Sequence, residues 1–292
     1  MPTGGVTSAR PRHAPSRHAR PRRRRRAGAV AGIVVGAVVL ATVPVAIWWL
    51  ARSTAGPGSC EVTSTQQGDA APTAYTLTPE QARNAATIAA VGLRLGLPDH
   101  AVTIALAAAL QESKLRNLSY GDRDSLGLFQ QRPSQGWGSP DQISDPAYAA
   151  TVFYQRLRSV PGWQGLSVTG AAQRVQHSDA PDAYARWEGP ARVAAAALTG
   201  ETAAGLTCRG LDVSHPTGEL AAVAENELGT RALSGAQPPA RGWAIGSWLV
   251  AHAADLGVSR VGFGGRTWTA ESGRWAQGGG PTGVLVLSRT AP

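Results

Sequence analysis

Two cysteines in 292 residues are too few for a cysteine-bound cluster or a disulfide-dense scaffold and allow at most one bridge. The six histidines, at positions 13, 18, 100, 177, 215 and 252, form no HExxH pair and no other ligand spacing, so neither a metal nor any other cofactor is expected. His215, in Asp212-Val213-Ser214-His215, reads as a surface residue. Acidic residues are missing from the first 52 positions, where ten arginines stand. Beyond that point eighteen basic residues face nineteen acidic ones. The formal charge of +9 therefore belongs to a tail, and it does not point to a nucleic-acid partner for the nearly neutral remainder.

Residues 1–26 also lack large apolar side chains, so they predict a disordered Arg-rich tail. The next 24 residues, Ala27 to Leu50, lack any charge, and at 1.5 Å per residue they would span a hydrocarbon core of about 30 Å. Nine arginines precede this run and one follows it, and Trp48 and Trp49 sit at its far end. The positive-inside bias then puts the N-terminus in the cytoplasm and the C-terminus outside, as a single-pass cell-membrane protein. The run is longer than a signal-peptide core and no clear small-x-small site follows it, which favours an uncleaved anchor. Residues 51–76, rich in Ser, Thr, Gly, Pro and Gln, read as an extracytoplasmic linker.

Helical patterns dominate the next stretch. Thr78-Pro79-Glu80-Gln81 carries a capping-box start, continued by Ile88, Val91 and Leu95 at helical spacing. Leu97-Pro98 ends that helix and begins another, whose residues Ala101 to Leu110 are apolar on every face, as a buried helix requires. It ends on a carboxylate, Glu112. A loop of Ser, Asn and Asp then leads to Ser125-Leu126-Gly127-Leu128-Phe129-Gln130-Gln131, whose short alternation predicts a tight extended or hairpin segment. Folded back, its polar atoms would face Glu112. A buried Glu paired with Arg116 or Arg123 is the plainer reading of the same residues. Asp145-Pro146 starts a helix with Tyr148, Val152, Phe153 and Leu157 on one face, and Val168 to Gln176 and Ala183 to Leu198 follow.

Glu112-Ser113 at a helix end, a polar loop, and then Ser125-x-Gly127-x-x-Gln130 resemble the lysozyme-like superfamily, in its lytic transglycosylase and goose-type lysozyme branch. The resemblance implies a fold that is mainly α, an all-α domain over residues 77–208 with one small hairpin. It also implies that Glu112 is the general acid and base cleaving the β-1,4 bond between N-acetylmuramic acid and N-acetylglucosamine in peptidoglycan glycan strands. Burial among apolar groups and the negative end of a helix dipole both favour a protonated carboxyl there. Ser125, Gly127, Gln130 and Gln131 would line the glycan cleft, and Tyr154, Gln173, Gln176 and Tyr184 are cleft candidates by residue type. Asp122 and Asp124 are candidates for the second carboxylate of a hydrolase, or simply loop-turn residues. With neither in that role, a single Glu serves first as acid and then as base, and the substrate's own hydroxyl closes a 1,6-anhydro ring.

The Tyr-Asn-Ala-Gly motif of transglycosylases is absent, and Gln173 to Ser178 with Pro181 to Tyr184 occupies that region. This keeps a rival in view, an inactive lysozyme-like glycan-binding or envelope-scaffold protein. A transport accessory role is a third reading, opposed by the single apolar span and the missing Cys/His cluster. Cys60 and Cys208, both expected outside the cell, would bracket the lysozyme-like segment with a disulfide, the alternative being two unpaired thiols. Residues 209–292 change character, with helices Gly218 to Glu227 and Trp243 to Leu256 and short β-rich runs Val258 to Phe263 and Val284 to Leu287. They predict a small α/β or α+β domain whose function the sequence does not state. Trp268 and Trp275 could stack on sugar rings, but core packing is the preferred reading.

Overall fold

The computed structural model describes residues 58–64, 74–177, 181–279 and 281–290. The expected tail and the apolar run 27–50 lie outside these residues. Among the described residues no helix is long and apolar enough to cross a membrane. In chain order the elements are β1 (Ser59–Thr63), β2 (Ala74–Leu77), α1 (Pro79–Arg94), α2 (Asp99–Glu112), α3 (Pro140–Ile143), α4 (Pro146–Ser159), α5 (Val168–Gln176) and α6 (Glu188–Leu198). Then come β3 (Leu206–Arg209), α7 (Leu220–Leu228), β4 (Gly235–Ala236), α8 (Pro239–Ala251), α9 (Ala253–Leu256), β5 (Val258–Phe263), β6 (Arg266–Thr269), β7 (Arg274–Gln277) and β8 (Val284–Arg289).

Two antiparallel sheets, ordered β2-β1-β3 and β4-β8-β5-β6-β7, make this an α+β fold. The mainly α class expected from the sequence is corrected accordingly. Its error has a physical source: β1 buries only Cys60 and Val62, and β2 only Leu77. Their alternation runs over only five and four residues, too short to stand out in segments that composition reads as linker. Both strands depend on pairing with each other and, for β1, with β3, so that Cys60 lies opposite Cys208. These two residues form a disulfide.

At the centre lies α2, where every residue from Ala101 to Leu110 is buried. Six of these ten are alanine or threonine, so neighbouring helices approach closely, and α1, α4, α5 and α6 all pack on it. One close approach depends on Gly92, where a Cβ would come within 2.9 Å of the Tyr154 hydroxyl. The phenol of this fully buried tyrosine donates to the Ile88 carbonyl at 3.0 Å and so ties α4 to α1.

The described residues of 77–208 and of 209–292 share one continuous apolar core. Trp268 and Trp275 fasten the larger sheet to the disulfide-bearing strand, since their indole N–H groups donate to the carbonyls of Cys208 and Leu206 at 3.1 and 2.8 Å. Ser247 on α8 donates to the Ala197 carbonyl of α6 at 2.9 Å. Deeper still, Glu227 on α7 accepts from the Trp248 indole at 2.7 Å and lies 3.3 Å from His252 Nε2. His252 Nδ1 meets the Trp248 carbonyl at 2.9 Å. Both ring nitrogens thus lie against oxygen acceptors, one a backbone carbonyl and the other a carboxylate. Burial pushes the Glu227 carboxyl up, but the His252 charge and the hydrogen bonds from His252, Trp248 and Thr87 outweigh it and hold the group below its ordinary value.

Candidate active site

Glu112 is the last residue of α2, half-buried where the apolar helix reaches the surface. The chain then turns through Lys114 and Leu115, both left-handed at φ 58° and 60°. For side-chain-bearing residues this costs about 1–2 kcal/mol each, and α1 supplies the compensation. Gln81 donates to the Lys114 carbonyl at 2.9 Å and buried Asn84 to the Leu115 carbonyl at 2.8 Å. Gln81 is itself fixed by its capping box with Thr78, so the helix start seen in the sequence also shapes the turn after Glu112. Leu115 is buried and its N–H reaches back to the Ala109 carbonyl at 3.1 Å.

The segment from Leu118 to Gln131 folds as a tight double turn closed by the bridges Leu118 to Gly127 and Leu126 to Gln131. Gly127 has φ +75°, and a Cβ there would lie 2.7 Å from the Ile143 carbonyl, so this position requires glycine. Side chains lock the turn in place. Ser113 donates to the Leu128 carbonyl at 2.7 Å and Gln176 to that of Phe129 at 2.8 Å. Gln131, buried, donates to the Ala149 carbonyl at 3.0 Å. The Gln130 amide folds onto its own loop, donating to Tyr120 and Gly127 carbonyls at 3.3 Å each.

The expected site residues thus separate into groups. Tyr184, fully buried, donates its hydroxyl to Glu112 Oε1 at 2.7 Å and is the candidate in direct contact with the carboxylate. Glu112 Oε2 has no hydrogen-bond partner among the described residues. Gly127, Gln130, Gln131 and Gln176 build and hold the hairpin, Ser125 is buried within it, and Gln173 is half-buried one turn before Gln176. Tyr154 faces the core rather than a cleft. Asp122 is almost fully exposed beside Arg123. Both oxygens of Asp124 are engaged, by Arg132 Nε at 2.7 Å and the Ser134 N–H at 2.8 Å.

Those hydrogen bonds from Arg132 and Ser134 hold the Asp124 carboxyl well below the usual carboxylate range. A depressed value stabilises the turn at any pH above the unfolded value near 4, and the stabilisation is lost as pH falls through the folded one. Asp124→Asn should therefore speed amide hydrogen exchange in residues 125–131 at neutral pH without unfolding the protein. In the wild type, acidification well below about pH 4 should do the same. Equal protection in variant and wild type would mean that the Asp124 pair is not what orders the turn.

Sequence reasoning missed five residues around the Glu112 turn. Gln111 Oε1 accepts from both Arg186 Nη2 and the Trp187 indole at 2.9 Å. Lys114 Nζ lies 4.6 Å from the Trp187 ring centre. These residues are some 75 positions apart and meet because the 3₁₀ segment Pro181–Trp187 folds onto α2; only the Arg-Trp pair just after Tyr184 signals the cluster. Tyr120, 66% exposed on the loop next to Gln130, is an aromatic ring open to solvent at the same turn. Among the described residues no group of three or more His, Cys, Asp or Glu is placed to hold a metal. No family model matches this chain, and no curated protein does.

Proposed function

We propose that this protein is a membrane-anchored enzyme that cleaves peptidoglycan glycan strands at the bond between N-acetylmuramic acid and N-acetylglucosamine, with Glu112 as general acid and base. The observation that carries the reading is the Tyr184 to Glu112 hydrogen bond at 2.7 Å, on a carboxylate placed where an apolar helix meets a rigid polar turn. Tyr184 fixes the rotamer through Oε1 and leaves Oε2 to face substrate. In the reaction Glu112 gives its proton to the glycosidic oxygen as the C1–O bond breaks. It then takes the proton of the C6 hydroxyl, which attacks C1 and closes the 1,6-anhydro ring.

The lyase outcome is favoured over hydrolysis because Asp124 has both oxygens committed to Arg132 and Ser134, which removes one of two candidates for the water-activating base. The full-length protein incubated with purified peptidoglycan should release soluble muropeptides that mass spectrometry identifies as 1,6-anhydro-ended. Reducing-ended products would replace the lyase by a muramidase. A folded protein that sediments with the wall yet releases nothing would instead be an inactive glycan-binding module.

A further inference from the structure

Three polar side chains beside Glu112 have no part in the proton transfers, and all three gather on one indole. Trp187 carries Lys114 Nζ at 4.6 Å and the Arg186 guanidinium at 5.3 Å from its ring centre. Gln111 ties the group together by accepting from Arg186 and from Trp187 at 2.9 Å each. Lys114 and Arg186 are the two cations of this cluster, and neither makes a salt bridge among the described residues. Their closeness is felt: burial and the Arg186 charge both push the Lys114 ammonium down, and only the Glu112 charge opposes them.

The donor count also leaves room for a ligand. An ammonium has three protons, and Lys114 uses two on the Leu110 and Gln111 carbonyls at 3.0 and 3.1 Å. Arg186 uses one N–H of its guanidinium fork. Both side chains are exposed. Lys114, the only lysine of the chain, is held by the left-handed turn and the helix-end carbonyls. Two fixed cations with free donors, flanking an aromatic face, suit a carboxylate attached to a sugar.

We propose that Lys114 and Arg186 form a carboxylate-binding subsite next to Glu112, which selects glycan strands bearing acidic substituents over neutral ones. This rests on the reading of Glu112 as the residue that cleaves glycan. In peptidoglycan the carboxylate can belong to the stem peptide or, once that peptide is removed, to the lactyl ether itself.

The test compares three ligands: peptide-bearing glycan fragments, the same fragments after amidase removal of the peptide, and an N-acetylglucosamine hexamer. Binding is measured on full-length Glu112→Gln protein and turnover on the wild type. Both acidic ligands should bind more tightly than the hexamer if the lactyl carboxylate is read, and only the peptide-bearing one if the peptide is. Arg186→Gln, alone and with Lys114→Gln, should weaken the preferred ligand roughly ten- to hundredfold and raise KM on it, leaving hexamer binding unchanged. Arg186→Lys should retain the preference. Because Arg186 is exposed and caps no helix, its single variant reads the subsite even if Lys114→Gln unfolds the turn. Equal affinity for all three ligands, or an equal loss on all three, would overturn the subsite. Charge-dependent binding without any turnover by the wild type would keep the subsite and remove the catalytic reading instead.

Discussion

Replacing Cys60 and Cys208 together by alanine is expected to lower the free energy of unfolding by roughly 5 kcal/mol and the melting temperature by roughly 10 to 20 °C. The two residues are separated by 148 positions, and a cross-link that closes so long a loop removes much of the conformational freedom of the unfolded chain. Geometry adds a local effect. Cys60 sits on β1, which joins β2 to β3, and β3 is where the Trp268 and Trp275 indoles attach the larger sheet. Without the bridge β1 is held to β3 by ladder hydrogen bonds and the Arg209 to Ser59 hydrogen bond at 3.0 Å. Hydrogen exchange should therefore show residues 59–63 losing protection first. Urea denaturation of the double variant gives the total, and a loss below about 1 kcal/mol would mean that strand pairing and the shared core make the bridge redundant.

The second large effect concerns the buried pair in the core. Glu227→Leu should cost about 3 to 5 kcal/mol, because it leaves His252 Nε2 without its carboxylate partner in a site where only 2% of the residue is exposed and also leaves the Trp248 indole N–H without its acceptor. Adding His252→Phe removes the stranded polar ring, so the double variant should be more stable than Glu227→Leu alone. A double variant that loses the sum of the two single effects would show that the residues contribute by packing and not as an ion pair. The same pairing predicts acid sensitivity. Since Glu227 is held below its ordinary value, its contribution is complete above about pH 4.5 and is lost as pH falls through the lowered folded value.

Much of the helical framework is readable from residues alone. The Thr78 to Gln81 capping box, Asp145 before Pro146, and the uniformly apolar Ala101 to Leu110 each depend on neighbours within one or two turns. The strands are different. In β6 and β7, Arg-Thr-Trp-Thr and Arg-Trp-Ala-Gln are four-residue pieces in a glycine-rich stretch, and they become strands by pairing with one another and with β5. In the candidate site, Glu112 stands out because a carboxylate ends an apolar helix. Tyr184 can be nominated only by residue type, and the Gln111, Arg186 and Trp187 cluster exists only once the 3₁₀ segment lies on α2. Two residues expected to touch glycan are polar for another reason: Gln176 satisfies the Phe129 carbonyl of the tight double turn, and Gln131 ties that turn to α4 through the Ala149 carbonyl.

Release of soluble glycan from purified peptidoglycan by full-length wild type and Glu112→Gln, compared at equal melting temperature, tests the central claim most directly. Glu112 accepts one hydrogen bond from Tyr184, and glutamine can accept the same bond, so the fold should be unchanged. The account predicts a loss of about 10²- to 10⁴-fold in rate, with binding to the wall retained. A Glu112→Gln protein that cleaves as fast as the wild type would contradict it.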